Sequence, residues 1–506
     1  MNLAMADRQP LFADLAGARK FAGVAGLVAL ADWLFYGHPL GFSMVVFLLA
    51  LDLGAVATNP VRADAREMPV ALGVLAVAIV PLILEPSLIA VLFGAMGAAY
   101  FALAATRKAG DWRSRIKDAV ALLCDGSWQA ASDLHGFGRS WSQGGRVIPG
   151  AGAMTVWIVP AVLGGIFLLL FASANPLIEG WFAAFDLQAL IAHLSIVRIA
   201  FWLITLSLVW PFIFMAARSR LKAKAEAKAE AILNTPLDLP ISQVPDLLFG
   251  KAAILRSLLL FNLLFALQTS LDAAYLWGGM ALPNGMTYAS YAHRGAYPLI
   301  VTALLAAAFV IAAMRPGTEA ERSPVIRNLV YLFVGQNVVL VISSILRLDL
   351  YVEVLSLTYW RVAAFIWMGL VAVGLLLIVV RIVLRRSNSW LVGMNLASLA
   401  VTLYLCGLVN FPSLIANYNV THSREMSGQG QPLDVGYLVG LGPHALPAFD
   451  VFIASRPTVP AWMMTCRTRL IQAHLNRMQD WRAWSYRDWN LARYLRDAAE
   501  ANQADR

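Results

Sequence analysis

Apolar residues along this chain come in long uninterrupted runs, not in the alternation of half-buried strands. A helix needs roughly 17–25 such residues to cross a bilayer core with every backbone amide bonded inside its own segment. Runs of this kind lie near Phe21–Tyr36, Pro39–Ala57, Pro69–Leu84, Ser87–Ala105, Ile148–Phe171 and Ile196–Ala217. Five more follow near Ala252–Trp277, Pro298–Met314, Ile326–Leu346, Val362–Leu384 and Leu391–Leu408. The pattern predicts an all-α, polytopic transmembrane helix bundle of about eleven spans. The turns Gly37-His38-Pro39 and Glu85-Pro86 are tight enough to pair the first four spans as two antiparallel hairpins. The first run is read as a span, since a second begins almost at once and no small-residue cleavage site intervenes.

Between the runs the polar segments differ in kind. The segmentation expected is 1–105, N-terminal hairpins; 106–147, an amphipathic insert; 148–217, two spans; 218–251, a charged insert; 252–410, five spans; and 411–506, a helical tail. In the first insert Trp112, Ile116, Val120 and Leu123 recur at helical spacing among basic residues. That suits a helix in the headgroup layer, or equally a short solvated helix packed on its own loops. Arg218–Glu230 is nearly all Arg, Lys, Ala and Glu, and predicts a charged extension of the sixth span that stops at Asn234 and Pro236. In the tail, Leu470, Ile471, His474, Leu475, Met478, Trp481 and Trp489 are spaced as one long amphipathic helix over Ala461–Glu500. Such a helix would dock on the membrane domain or rest on anionic headgroups.

Composition agrees with the runs. Hydrophobic residues make up 59% and charged residues 14%, where a soluble chain carries about 25% charged residues. The net charge of +9 would suggest nucleic acid in a soluble protein. Here the basic residues sit in short loops, so nucleic acid is not an expected partner and the lipid bilayer is. Of the 39 Lys and Arg, 25 fall in one set of alternate loops, 4 in the other and 10 in the long tail. Positive loops stay cytoplasmic, which predicts N-in and C-out in a bacterial inner membrane, with both inserts cytoplasmic and the tail extracytoplasmic. Cys124, Cys406 and Cys466 have neither metal-like spacing nor the number for a disulfide framework. No metal and no cofactor is expected.

The chain has no P-loop, no H-E-x-x-H and no nucleophile elbow. With no catalytic residue to assign, enzyme activity stays open and is not the favoured reading. Polar residues at membrane depth are more informative, because each is expensive there unless paired or facing water. On the seventh span Asn262, Gln268, Thr269, Asp272 and Tyr275 share one face within roughly 140°. On the ninth, Gln336, Ser343 and Arg347 line up, with Asn337 and Ser344 beside them. Asp272, Arg347 and Arg198 all lie toward the outer ends of their spans, so Asp272 is expected to pair with one of these arginines. Interhelical hydrogen bonding that merely holds the bundle is the structural alternative. Asp32 and Asp52, in the first hairpin, carry the same ambiguity. The loop after the seventh span ends Tyr291-Ala292-His293-Arg294-Gly295-Ala296-Tyr297-Pro298. It brings aromatics, an imidazole and a guanidinium to a membrane face. That chemistry suits an anionic lipid or small anionic ligand, or else an aromatic belt with one snorkelling arginine.

Several strings here form a pattern: Leu258-Leu259-Leu260-Phe261-Asn262 onward to Gly279, Tyr291-Ala292-His293-Arg294-Gly295-Ala296-Tyr297-Pro298-Leu299-Ile300, and Arg347-Leu348-x-Leu350-Tyr351-x-Glu353. To these are added Leu357-Thr358-x-x-Arg361, Asn417-x-Asn419, and Asp434-x-x-Tyr437-Leu438 before Leu441-Gly442-Pro443. Over Phe249–Pro447 the chain resembles a bacterial membrane-protein family known as domain of unknown function 4153/4173. Ser356 stands where that pattern has glycine, and His444 where it has an acidic residue. The resemblance implies a membrane fold with a shared outer-face patch and supplies no activity. The expected function is binding or transport of an envelope-related small molecule or lipid without ATP, with Asp272, Gln268, Tyr291, His293, Arg294 and Arg347 as substrate-binding residues. The alternatives are a membrane sensor or assembly scaffold for envelope components, its protein partner unknown, and an envelope-modifying enzyme with an outer-face site. That enzyme would use Asp349, Glu353 or Asp272 as base and His293 as acid or base.

Overall fold

The computed structural model describes residues 15–61, 66–107, 111–124, 195–215, 251–274 and 322–504, with isolated positions 126, 305 and 309. Among the described residues every regular element is helical, and six helices are long and apolar enough to cross a membrane. The chain divides into two compact units, Met1–Thr235 with Asp480–Ser485, and Pro236–Gln479 with Tyr486–Arg506. The expected spans Ile148–Phe171 and Pro298–Met314, and the charged insert 218–251, lie outside the described residues apart from Lys251, Leu305 and Phe309.

In the first unit, α1 (Leu15–Phe35), α2 (Phe42–Thr58), α3 (Glu67–Leu84) and α4 (Leu88–Thr106) follow the expected runs within a few residues. Next come α5 (112–124) and α6 (Ile196–Ile213). Gly37, at φ 79°, opens the turn between α1 and α2, and the Ser87 hydroxyl caps α4 by accepting from the Ala90 amide at 3.2 Å. Lipid removes the hydrophobic force between helices, so close backbone approach does the packing. On α4, Gly97 lies against Ala78 and Leu75 of α3 with no room for a Cβ, and Ala98, Ala99 and Ala102 are fully buried. Three helices end together: Asn59 Nδ2 donates to the Phe212 carbonyl at 3.2 Å, and Thr106 Oγ1 to Met215 Sδ at 3.1 Å. At the opposite end Tyr36 Oη and Ser195 Oγ are 2.7 Å apart. Helix α6 is therefore antiparallel to α1 and parallel to α2 and α4.

Helix α5 is fastened to the same end by two ion pairs, Arg115–Glu67 and Arg107–Asp118, both at 2.6 Å. Of the expected stripe Trp112, Ile116, Val120 and Leu123, Leu123 packs against the bundle and the other three do not. Arg115, Ala119 and Leu122 are buried on the bundle, while Trp112, Ile116 and Val120 are exposed. Pairing Arg115 with Glu67 sets the helix rotation and turns Trp112, Ile116 and Val120 outward.

Asp480–Ser485 completes this unit. Asp480 Oδ2 meets His38 Nδ1 at 2.7 Å, the Phe42 amide donates to the Trp484 carbonyl at 2.8 Å, and the Arg482 guanidinium lies over the Trp33 ring at 4.5 Å. Backbone atoms of Arg482 and Ala483 occupy the space a Cβ on Gly41 would need. These contacts overturn the single helix expected over Ala461–Glu500. The Asp480 carboxylate accepts from the Arg482 amide at 3.0 Å, and a short turn at Trp481–Ala483 separates two helices. Side-chain capping and backbone pairing at the turn replace the helical hydrogen bonds lost there.

The second unit contains α7 (Lys251–Asp272), α8 (Pro324–Leu355), α9 (Tyr359–Val383) and α10 (Asn388–Leu408). The tail adds α11 (Phe411–Thr421), α12 (Val435–Gly440), α13 (Leu446–Ala454), α14 (Ala461–Met478) and α15 (Tyr486–Ala504). Helix α8 runs nine residues past the expected Leu346, which puts Asp349, Tyr351 and Glu353 on its end and not in a loop. Ile415, Phe449 and Phe452 of the tail bury with Val352 and Leu357 into one apolar core. Beside it Arg467 pairs with Asp450 at 2.6 Å and the Tyr494 hydroxyl donates to the same carboxylate at 3.1 Å. Burial, and then the Asp450 charge, push the Tyr494 phenol up to about 12, so it remains a donor at neutral pH.

Candidate functional site

Helices α7 and α8 run parallel, because two contacts advance together along both. Asn262 Nδ2 donates to the Leu329 carbonyl at 3.2 Å, and ten residues further on Asp272 meets Ser343. The outer flank of α7 is exposed leucine, at Leu259, Leu260, Leu263, Leu264, Leu267 and Leu271. Its polar residues Asn262 and Asp272 are buried on the inner face. This is the reverse of a soluble amphipathic helix and is what lipid as solvent dictates.

The inward faces meet at Asp272. The Arg347 guanidinium pairs with Oδ1, Ser343 Oγ donates to Oδ2 at 2.6 Å, and Gln268 Nε2 donates to Oδ1 at 2.9 Å. Asp272 is 1% exposed and Arg347 3%. Removing such charges from water costs several kcal/mol per ion, which good geometry and added hydrogen bonds repay in part. Both carboxylate oxygens are engaged here, so the ionised pair is the arrangement these donors favour. Along the same two helices, Thr269 Oγ1 and Gln336 Oε1 are buried with no hydrogen-bond partner, as are Asn262 Oδ1 and Asn337 Oδ1. Buried acceptors without donors are uncommon, and they give the α7–α8 face spare polar capacity.

Of the two arginines expected as partners for Asp272, Arg347 is the one. Arg198 belongs to the first unit, where it pairs with Asp32, whose carboxylate also accepts from Trp202 Nε1 at 2.8 Å. Antiparallel packing of α1 and α6 brings these three to one level. Tyr291, His293 and Arg294 lie outside the described residues.

The shared motif residues converge on the turn between α8 and α9. Ser356 adopts φ 67° and ψ 169°, a region that is essentially glycine-only. That is the physical meaning of the glycine expected there. Asn419 grips the next residue like a strand neighbour: its Oδ1 accepts from the Leu357 amide at 2.7 Å, and its Nδ2 donates to the Leu357 carbonyl at 2.9 Å. Although Asn419-Val420-Thr421 is spelled as a glycosylation sequon, this asparagine is buried and used. Arg361 donates to the Leu355 and Ser356 carbonyls and covers the Tyr351 ring at 4.6 Å. Tyr437 Oη accepts from the Tyr359 amide at 3.1 Å, and Asp434 caps α12. Asp349 and Glu353 are exposed. Tyr418 is near both, and burial followed by those two charges pushes its phenol up.

A second cluster lies in the tail. Asp488, buried, lies 3.6 Å from His444 Nε2 and from His474 Nδ1, and 3.2 Å from Arg477 Nε. His444 replaces an expected acid and faces one. His474, within the apolar stripe of the tail, is fully buried; nothing in the local spelling marks Asp488 as its neighbour. Among the described residues no group of three His, Cys, Asp or Glu side chains is arranged to hold a metal.

No match to the chain was found among curated proteins or solved structures. The family described as a domain of unknown function, DUF4153, matches residues 70–451. That stretch is well over half of the chain and takes in the Asp272–Arg347 pair and the turn at Ser356, so the chain belongs to the DUF4153 family.

Proposed function

We propose that this is a bacterial inner-membrane protein of about eleven spans, N-in and C-out, that binds or moves an envelope-related small molecule or lipid without ATP. The observation that carries the reading is the buried Asp272–Arg347 pair, with Gln268 and Ser343 on the carboxylate and unpartnered acceptors along the same two helices. A ligand bearing a phosphate or carboxylate competes with Asp272 for the planar guanidinium, and the freed Asp272 keeps the Ser343 and Gln268 donors. Tyr291, His293 and Arg294 form the proposed outer rim that receives the anionic group. The span count draws support from helix direction. Helix α4 ends and α6 begins at opposite ends of the first unit, and α7 is parallel to α8, so each interval calls for a crossing such as Ile148–Phe171 or Pro298–Met314. Phe309, from the second of these, packs edge-on against Phe261 at 5.1 Å.

Native mass spectrometry of the protein in mild detergent tests the reading. A retained small anionic molecule or lipid is expected on the wild type, with at least tenfold lower occupancy in Arg347→Gln. Arg347→Lys should fall between them, since a point charge cannot reproduce the bidentate fork. A wild type that carries no such ligand, and an Arg347→Gln variant that loses stability alone, would leave the pair as a bundle fastener. The scaffold reading then gains, because the tail folds on the α8–α9 turn around a shared buried core and presents a folded surface.

A further inference from the structure

Asp52 sits within α2 and is 3% exposed, and neither of its carboxylate oxygens has a hydrogen-bond partner. Its surroundings are apolar: Leu48, Leu51 and Ala55 on its own helix are buried in the same cluster as Ala98, Leu103, Val209 and Ile213 of α4 and α6. Asp32 and Asp272 contrast with it. Asp32 holds Arg198 and Trp202, and Asp272 holds Arg347, Ser343 and Gln268. Each of those can be a carboxylate because cationic and neutral donors replace the water it lost. Asp52 has no such replacement, and an isolated ion in an apolar medium is far costlier than the neutral acid.

We propose that Asp52 is a proton-binding site inside the membrane, a carboxyl group that carries its proton in the structure described here. The ligand is the proton itself, and no other co-reactant is involved. Two features give the site a route for exchange. Asn59 lies two turns along α2 on the same face, and its Oδ1 is likewise buried without a partner. The parallel register of α2 and α6, set by Asn59 against Phe212, puts the buried Thr205 level with Asp52. From the level of Asp52 and Thr205, Asn59 lies about 10 Å further on, at the end that carries Lys20, Arg107 and the α5 ion pairs. A protonated carboxyl is one means of coupling transport to a proton gradient, and its occupancy can be measured with no cargo identified.

The test uses the full-length protein in nanodiscs. Infrared spectra of aspartate-labelled protein should show an apolar carboxylic-acid C=O band that shifts in deuterium oxide and disappears in Asp52→Asn. The lipophilic reagent dicyclohexylcarbodiimide, which attacks protonated carboxyls, should modify Asp52 at least tenfold more than Asp32 or Asp272 by peptide mass spectrometry. Asp52→Leu should fold with thermal stability equal to or above wild type, because no partner is orphaned. Loss of a carboxylate band in place of the acid band, an unmodified Asp52, or a clear loss of stability in Asp52→Leu would each overturn the proposal. None of these readouts depends on the Asp272–Arg347 reading, so the two proposals fail separately.

Discussion

Ser356 shows how much a single residue can disclose. Its backbone occupies a region that costs a non-glycine residue about 1–3 kcal/mol, and the double grip of Asn419 on Leu357 helps to hold it there. Ser356→Gly should therefore raise stability by about 1–3 kcal/mol, read as a higher unfolding midpoint in detergent. Asn419→Leu, which orphans the Leu357 amide and carbonyl, should lower it by a similar amount. No gain from glycine would mean that the turn is not strained. The expectation of a glycine here was legible from the motif; the reason for it lay in the backbone. Asn419 was legible as a motif residue too, but its use required α11 to fold back on the α8–α9 turn, some sixty residues away in sequence. Asp488 was illegible for the same cause, since His444, His474 and Arg477 reach it from other elements.

Among the elements, α5 departs most usefully from its pattern. The helix was legible in the spacing of Trp112, Ile116 and Val120, but its rotation depends on Glu67 and Asp118, which the spacing does not encode. The outcome is a helix with a docked stripe, an exposed apolar stripe, and Arg113 and Lys117 on the flank. Arg113 covers the Trp112 ring at 5.3 Å. Such a helix rests its free apolar stripe in the headgroup boundary and keeps its basic flank in water. Spin labels at Ile116→Cys and Val120→Cys, in a background with the three native cysteines replaced, should collide with oxygen in lipid. A label at Lys117→Cys should collide with a water-soluble nickel chelate. Equal water access at all three sites would make α5 a solvated helix. The tail makes the same point in reverse: its amphipathic period continued through Trp481, yet the chain turned there because Asp480–Ser485 had closer partners at His38, Gly41 and Phe42.

For the whole molecule the decisive quantity is charge distribution. With 25 Lys and Arg in one set of loops and 4 in the other, the positive-inside rule assigns the end carrying Lys20, Arg107 and α5 to the cytoplasm. Reporter fusions at Ala225 and Glu500 should then give cytoplasmic and extracytoplasmic signals respectively. The opposite pair of signals would invert the map, and the proposed outer rim at Tyr291, His293 and Arg294 with it. Within the first unit α2, α4 and α6 end together, and within the second α7 is parallel to α8.

By itself the sequence determined the helical class, the position of each described span to within several residues, the family, and the presence of acids and arginines at membrane depth. Those properties follow from local composition, because a bilayer asks of each segment only length, apolarity and internally bonded backbone. Tertiary structure decided the partnerships. Arg347 pairs with Asp272 and Arg198 with Asp32, and Asp52 is left with no partner, although all three acids read alike along the chain. Which charge meets which depends on the direction, register and rotation of helices far apart in sequence. A cost of several kcal/mol for each unmatched ion makes those choices the ones the folded protein cannot leave open.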